Sequence, residues 1–244
     1  MSKKIEPDVT SASMLEPVSD FAFDSVSDPA PDVCEAIAFI GRILGSFFSY
    51  GPPQTREALA SIASLDVPAA AEEWPFVDTD AALLSLNLMQ AGALPYADPN
   101  ADAAAQDVLL WEYRRLFIGP NRKPAPPWGS VYTDKECVIF GLSCLDLRQW
   151  MRQNGVNRQT THRTPEDHIG ELLLLMAWLA QHRPELLGAF LSQHVLTWSS
   201  HMLAQLARGT EHPFYVGLAY LTKDSLEGIK DTLELQVLYP IYYR

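Results

Sequence analysis

An all-α fold is predicted for this chain, and three features of the sequence support that prediction. Apolar residues recur at helical spacings along most of the chain after residue 31. Start and stop signals of helices punctuate this pattern. Alternating β-branched runs joined by hairpin turns are absent from the sequence. We therefore predict one all-helical domain over residues 31–244, preceded over residues 1–30 by a flexible acidic tail of Ser, Pro, Asp and Glu without helical period.

Four helices are predicted in the first half of the chain. The first, of about 18 residues, begins at a capping box formed by Asp32 and Glu35. Three more are predicted at about 54–64, 79–91 and 101–117, with N-caps at Thr55, at Asp78 or Thr79, and at Asn100. The last of them ends at Gly119 and Pro120, because this pair stops a helix.

Proline marks helix starts in the second half, because the first helical position needs no amide donor. Pro165, after Thr164, is predicted to open one helix, Pro184 a second at about 184–207, and Pro213 a third at about 213–234. Before them, a second capping box is predicted at Thr133 and Glu136, with an interruption at Gly141, a restart at Ser143 and a stop at Gly155.

Charge argues against one class of partner. The formal net charge is −12 without any basic block, which disfavours nucleic acid. Residues 1–110 carry 17 acidic and 4 basic side chains. A cationic partner fits this excess, although solubility alone also explains it.

Several features indicate a cytoplasmic protein that does not insert into membranes. Cys34, Cys137 and Cys144 are too few and too irregularly spaced for a disulfide framework, which favours a reducing compartment. The start, MSKKIEPDV, lacks the apolar core of a secretory signal. The longest apolar run, residues 172–180, is about half of a membrane span.

Motifs of catalysis and cofactor binding are missing from the sequence. Ser130 and Ser143 lie in GSVY and GLSCL, which lack the flanking glycine of a nucleophile elbow. The six histidines include no pair four residues apart, so no metal site is expected. Neither GxxxxGK[ST] nor GxGxxG occurs. Motifs therefore give no support to an enzyme, a metal site or a cofactor, while a nucleotide site stays open.

A proline-rich turn presents the strongest candidate for binding. Three prolines, at positions 124, 126 and 127, restrict the backbone before Trp128, so this indole has little conformational entropy left to lose on binding. Upstream, one helical stripe holds Tyr113, Leu116 and Phe117. This stripe is either the buried face of an amphipathic helix or, with Pro127 and Trp128, the wall of a groove.

A second candidate lies in the segment TPEDH at residues 164–168. Asp167 is predicted at the third helical position, where a carboxylate accepts backbone amides. His168 has no capping role under that assignment. The positive helix end disfavours its charged form, so we expect a neutral imidazole that is available to hydrogen-bond.

Five segments, in this order and at this spacing, resemble the TorD/DmsD family of cytoplasmic chaperones for molybdoenzymes exported through the twin-arginine (Tat) pathway. They are YRRLFIGP at 113–120, PAPPWGSVY at 124–132, FGLSCLDLRQWMRQNG at 140–155, PEDHIGELLLLMAWLA at 165–180 and EHPFY at 211–215. The resemblance implies an all-helical protein that has no reaction of its own and binds the twin-arginine signal peptide of a molybdoenzyme precursor. It also implies that export is withheld until the cofactor is loaded. A dimethyl sulfoxide reductase is the expected client, and the Tat translocase at the membrane is a second expected partner.

The resemblance also implies which residues bind the signal peptide. They are Leu116, Phe117, Pro127, Trp128, Asp167 and His168, with Tyr113 standing where close relatives carry tryptophan. Such a peptide has two guanidinium groups before an apolar stretch. Its receptor therefore needs apolar walls, here Leu116, Phe117 and Trp128, and carboxylates. Asp167, with Glu166, Asp134 or Glu136, is expected to supply the latter.

Two other functions stay open from the sequence. The first is a GTP-responsive or nucleotide-hydrolysing accessory protein, because nucleotide binding has been suggested for relatives in the family. The second is an adaptor that meets its partners through the acidic tail.

Overall fold

The all-α prediction is confirmed by a computed structural model, which describes residues 29–98, 103–156 and 165–244. These ranges contain helices and no strand. The α-helices are α1 (Pro31–Ser49), α2 (Arg56–Ala63), α3 (Val67–Glu73), α4 (Thr79–Ala97), α5 (Ala103–Tyr113), α6 (Ser130–Thr133), α7 (Leu142–Gln153), α8 (Ile169–His182), α9 (Leu187–Phe190), α10 (Ser199–Gly209) and α11 (Pro213–Thr232). The predicted caps Asn100 and Thr164, and all but two residues of the predicted tail, lie outside the described residues.

Two long helix pairs build the core. Helix α1 packs along α8, and α4 packs along α11, with α10 beside α11 and the short α2 and α3 against α4. Glycine allows the closest approach in the first pair. A Cβ on Gly41 of α1 would lie 2.5 Å from the carbonyl oxygen of Leu173 in α8. The end of α1 is similarly close to the start of α8, where a Cβ on Gly170 would lie 2.8 Å from the Cβ of Phe48.

Helix starts in the first half agree only partly with the predicted caps. Asp78 caps α4 as predicted, because its Oδ1 accepts hydrogen bonds from the amides of Asp80 and Ala81. The capping box of Asp32 and Glu35 is wrong. Pro31 takes the first helical position, so Asp32 lies inside the first turn of α1 rather than before it.

Two features of the first half were not predicted. Helix α4 continues to Ala97, six residues past its expected end, with Pro95 near its C-terminus. Helix α3 begins after Asp66, whose side chain accepts a hydrogen bond from the amide of Ala69. At seven residues it is too short to show a clear apolar period.

Two predicted starts in the second half are wrong, and one predicted helix is divided. Thr133 ends α6 instead of opening a helix, and the helix predicted from Pro165 begins at Ile169. The helix predicted at 184–207 is divided. After a 3₁₀ turn at Pro184–Leu186, α9 continues as a π-helical turn at Leu191–Val195 and the chain breaks before α10. Trp198 leaves helical geometry there, with φ −144°. Pro213, in contrast, opens α11 as predicted.

A segment without regular structure follows α11 and ends the chain. This C-terminal segment, residues 233–244, returns to the loop around α6, where the amide of Tyr243 donates to the carbonyl of Tyr132 at 3.0 Å. None of the helices in the described ranges has the length and apolar character needed to cross a bilayer.

Candidate functional site

Main-chain hydrogen bonds join the proline-rich turn to the start of α8. The amide of Ile169 donates to the carbonyl of Pro127 at 2.8 Å, and the amide of Gly129 donates to the carbonyl of Asp167 at 3.1 Å. Together they form an isolated antiparallel bridge between Trp128 and His168. Pro127 has no amide, so only its carbonyl takes part. Two candidate segments about 40 residues apart in sequence are thus held side by side.

His168 is the N-cap of α8. Its Nδ1 accepts a hydrogen bond from the amide of Gly170 at 3.2 Å, and its side chain is buried. The prediction that His168 has no capping role is therefore wrong, because α8 begins at Ile169 and not at Pro165. An Nδ1 that accepts must lack a proton, which agrees with the neutral imidazole that we expected. Trp128, partly buried, packs edge-on against this ring, with ring centroids 6.0 Å apart.

Asp167 is a buried carboxylate with one unpartnered oxygen. Only 3% of the residue is exposed. Its Oδ2 accepts a hydrogen bond from the amide of Ser130, the first residue of α6, at 2.8 Å. Asp167 therefore caps α6, whereas we predicted that it would accept amides of the helix that follows Thr164. Its Oδ1 has no hydrogen-bond partner among the described residues. Because a buried oxygen of this kind is costly, Asp167 is well suited to accept a donor from a ligand.

A cavity of about 180 Å³ lies next to Asp167. Its walls come from the turn around α6, from α7, from the break before α10 and from the C-terminal segment, and they comprise Gly129, Thr133, Ser143, Leu147, Asp167, Gln193, His194, Thr197, Trp198, Leu238 and Pro240. Ser143 Oγ and His194 Nε2 also lack partners among the described residues. Burial lowers the pKa of His194 to about 4, so its imidazole is neutral at pH 7. The charge of this lining comes from Asp167, which makes the cavity suitable for a cationic donor.

Tyr113, Leu116 and Phe117 lie in the hydrophobic core, each at most 4% exposed. The ring of Phe117 contacts those of Phe48 and Tyr215, both with centroids 5.7 Å away. Burial, with the charge of a nearby glutamate, raises the pKa of Tyr113 to about 12. The interpretation of this stripe as a buried helix face fits these positions. The structure therefore brings Pro127, Trp128, Asp167 and His168 together but places the three stripe residues elsewhere.

The two groups are nevertheless connected through the end of α1. Phe48 packs on Phe117 on one side and lies close to Gly170 in the first turn of α8 on the other. The hydroxyl of Tyr113 donates to the carbonyl of Phe48 at 3.5 Å. Tyr113 and Phe117 are therefore connected through Phe48 to the first turn of α8, which follows His168.

The remaining carboxylates predicted for arginine binding differ in availability. Glu166 is engaged in an ion pair with Arg148, at 2.7 Å. Asp134 accepts a hydrogen bond from the amide of Ser143 through Oδ1, while its Oδ2 has no partner among the described residues. Glu136 is exposed to solvent. Asp134 is thus a second candidate for arginine binding beside Asp167, whereas the charge of Glu166 is already balanced by Arg148.

Sequence reasoning missed the other polar groups around the cavity. Ser143 was considered as a helix start and as a nucleophile but not as a ligand-binding residue. His194 carries no motif and reaches the cavity from another part of the chain. The nearby thiol of Cys144 is a poor nucleophile, since burial and the charge of Asp167 raise its pKa to about 12. A cluster of unpartnered polar atoms contributed by distant segments leaves no signal in a single sequence.

Comparison with known proteins gives consistent results. Residues 78–204 match the family described as nitrate reductase delta subunit. A protein of Haemophilus influenzae named "Probable Tat proofreading chaperone DmsD" is 39% identical over 214 residues, which is 86% of this chain and 98% of the relative. The Tat proofreading chaperone DmsD of Salmonella typhimurium is 37% identical over 190 residues, 78% of this chain and 86% of the relative.

More distant relatives extend the same group. The chaperone protein TorD of Vibrio cholerae is 34% identical over 106 residues, which is 38% of this chain and 48% of that protein. The helical fold, the paired PPW and PEDH segments and these matches agree with one another. By its match to the nitrate reductase delta subunit family and by its similarity to DmsD over most of its length, this chain belongs to the TorD/DmsD family.

Proposed function

We propose that this chain is a Tat proofreading chaperone. It binds the twin-arginine signal peptide of a molybdoenzyme precursor in the cytoplasm and delays export until the cofactor is inserted and the enzyme has folded. The names of its relatives support this role, and they give no support to a nucleotide-responsive protein. The catalytic subunit of a dimethyl sulfoxide reductase is the proposed client, and release toward the Tat translocase is the proposed end of the cycle.

The buried carboxylate of Asp167 is the observation that carries the proposal for this chain. An arginine guanidinium has five N–H donors and a permanent charge, so it can meet Asp167 Oδ1 together with the acceptors Ser143 Oγ and His194 Nε2. Charge-assisted bonds of this kind are about twice as strong as neutral ones. A lysine supplies the charge without the planar fork.

The remaining site residues take two roles in this proposal. Trp128, Pro127 and His168 form the face next to Asp167 that contacts the peptide. Tyr113 and Phe117 belong to the site as its support, because both contact Phe48, which lies close to the first turn of α8. Leu116 is buried in the same core. A direct contact of these three side chains with the peptide would require the end of α5 to open.

Titration with matched peptides tests the proposal. The probe is a twin-arginine signal peptide, compared with a copy in which both arginines are glutamine. We expect Asp167→Asn to lower affinity for the arginine peptide at least about tenfold and to reduce discrimination against the glutamine copy, since the cavity loses its charge. Asparagine keeps an oxygen for the amide of Ser130, so the melting temperature should change little.

Two variants complete this experiment. Trp128→Ala should cost about 2 kcal/mol of binding free energy if the indole is an anchor. Glu73→Gln, at an exposed carboxylate at the end of α3, is the matched control and should bind like the wild type. Equal affinity of the wild type and Asp167→Asn for the arginine peptide would contradict the assignment of Asp167.

A further inference from the structure

Two segments beside the cavity expose large apolar side chains to solvent. The loop that leads into α7, together with the first turn of that helix (residues 138–145), exposes Val138, Ile139, Phe140, Leu142 and Leu145. The C-terminal segment exposes Leu238, Tyr239, Ile241 and Tyr243. Exposure reaches 72% for Leu142 and 91% for Leu238. We call these two groups together the apolar rim.

The two parts of the apolar rim lie side by side. At one end, the thiol of Cys137 donates to the carbonyl of Tyr243 at 3.7 Å. At the other, Ser143 and Leu147 line the same cavity as Leu238 and Pro240. The rim therefore borders the cavity that holds Asp167.

The C-terminal part of the rim is fixed to the helical body. The hydroxyl of Tyr242 donates to the carbonyl of Thr197 at 2.8 Å, and its ring stacks on His201 with centroids 4.3 Å apart. The guanidinium of Arg244 donates to the carbonyl of Lys123 at 2.6 Å. Anchored in this way, the segment holds Leu238 and Ile241 in solvent with little freedom left to lose on binding.

The charges around the rim indicate what covers it. Asp134, Glu136 and Asp146 flank the loop part, against the single cation Lys135. Arg148, the next cation along the chain, is paired with Glu166. An apolar surface that borders a buried carboxylate and an acidic flank fits a partner in which cations precede an apolar stretch.

We propose that the apolar rim binds the apolar stretch of the signal peptide while an arginine of the same peptide occupies the cavity at Asp167. This inference rests on the proposed function and adds a second contact surface to it. It assigns the apolar contact to the loop 138–145 and the C-terminal segment, and not to Leu116 and Phe117, which lie in the core. A second copy of this chain is the alternative occupant.

A double substitution in the rim tests this inference. Leu142→Ser with Leu238→Ser removes two exposed side chains, so the fold should be retained. The control is Leu84→Ser with Leu94→Ser, at two exposed leucines of α4. One probe is the full twin-arginine signal peptide, and the other keeps its arginines but has serine throughout the apolar stretch. We expect the rim variant to lose at least about tenfold in affinity for the full peptide, and the control to lose none.

The two peptides, tested against the wild type and the rim variant, form a double-mutant cycle. In the rim variant, replacing the apolar stretch of the peptide should lower the affinity little further, because both changes remove the same contact. Full additivity of the two losses, or equal affinity of the rim variant and wild type for the full peptide, overturns the inference. A dimeric wild type that becomes monomeric in the rim variant with unchanged peptide affinity overturns it as well. Failure of the wild type to bind either peptide would instead refute the proposed function itself.

Discussion

At the scale of single residues, His168 shows how a one-turn error in a helix start changes the role of a side chain. In a helix that begins at Pro165, as predicted, the imidazole of His168 would have no capping role. With α8 beginning at Ile169, the same imidazole is the N-cap and accepts from Gly170. A hydrogen-bonding imidazole at this position was predictable from the sequence. Its partner was not, because histidine is a less common cap than Ser, Thr, Asp or Asn.

Substitutions at His168 should separate the cap from ligand binding. His168→Ala should lower the free energy of unfolding by about 1 kcal/mol, because an N-cap acceptor is lost. His168→Asn should recover most of that stability, since asparagine is among the best N-caps. Both variants should bind the signal peptide more weakly than the wild type. Urea unfolding gives the stability, and peptide titration gives the affinity. Wild-type affinity in His168→Asn would leave His168 with a structural role alone.

At the scale of helices, agreement with the sequence depends on how strong the local signal is. Helices α1 and α11 begin next to a proline, carry long apolar stripes and agree with the prediction within a few residues. The break before α10 could not be predicted, because its cause is tertiary. The indole of Trp198 packs against Gly129, where an added Cβ would lie 2.7 Å from Nε1, and donates to the carbonyl of His194.

The contact between α1 and α8 gives a prediction at this scale. Gly41→Ala should destabilise the protein by about 1–3 kcal/mol even though alanine favours helix. The added Cβ would meet the carbonyl oxygen of Leu173 at 2.5 Å, and a backbone atom cannot move aside without shifting a helix. Thermal unfolding measures the loss. The matched control is Gly188→Ala, whose added Cβ would meet no atom closer than 3.4 Å. Gly155→Ala is unsuitable as a control, because Gly155 has a positive φ of 65°. Equal melting temperatures for Gly41→Ala and Gly188→Ala would show that the two helices can separate without cost.

At the scale of the whole molecule, the sequence predicted the class of fold and four of the residues that meet at the site. Pro127, Trp128, Asp167 and His168 come from two short motifs, and each motif was recognisable alone. The cavity beside them was not, because Ser143, His194 and Leu238 reach it from three separate elements. The apolar stripe of Tyr113, Leu116 and Phe117, which runs from the end of α5 into a π-helical turn at Arg114–Ile118, shows the converse limit. The sequence pattern of this stripe does not distinguish a groove wall from a buried helix face. The packing of Phe48 and Tyr215 against Phe117 shows that the stripe is a buried face.

Burial of histidine should make stability depend on pH. The pKa of His194 falls to about 4 in the folded protein, and burial also lowers that of His212. Between about pH 4 and about pH 6.5, the unfolded chain binds more protons than the folded one, so the free energy of unfolding decreases as the pH falls through that range. At pH 5 the contribution of His194 is a loss of about 2 kcal/mol relative to pH 7.5.

Urea unfolding at pH 7.5 and pH 5 measures this dependence. His194→Gln should show a smaller loss of stability on acidification than the wild type, because glutamine does not titrate. His182→Gln, at the exposed end of α8, is the matched control and should keep the wild-type dependence. An identical pH dependence in His194→Gln and the wild type would exclude His194 as a source of the effect.

The antiparallel bridge at position 128 has a consequence for how such a receptor can diversify. The bonds that fasten the turn to α8 come from the carbonyl of Pro127, the amide of Gly129 and their backbone partners, so none of them depends on the indole. Evolution can therefore exchange the side chain at 128 while the turn remains docked. On the proposal that the indole anchors the peptide, preference for one cargo or another can drift at this position with little penalty to folding, and sister proteins could come to escort different enzymes in this way.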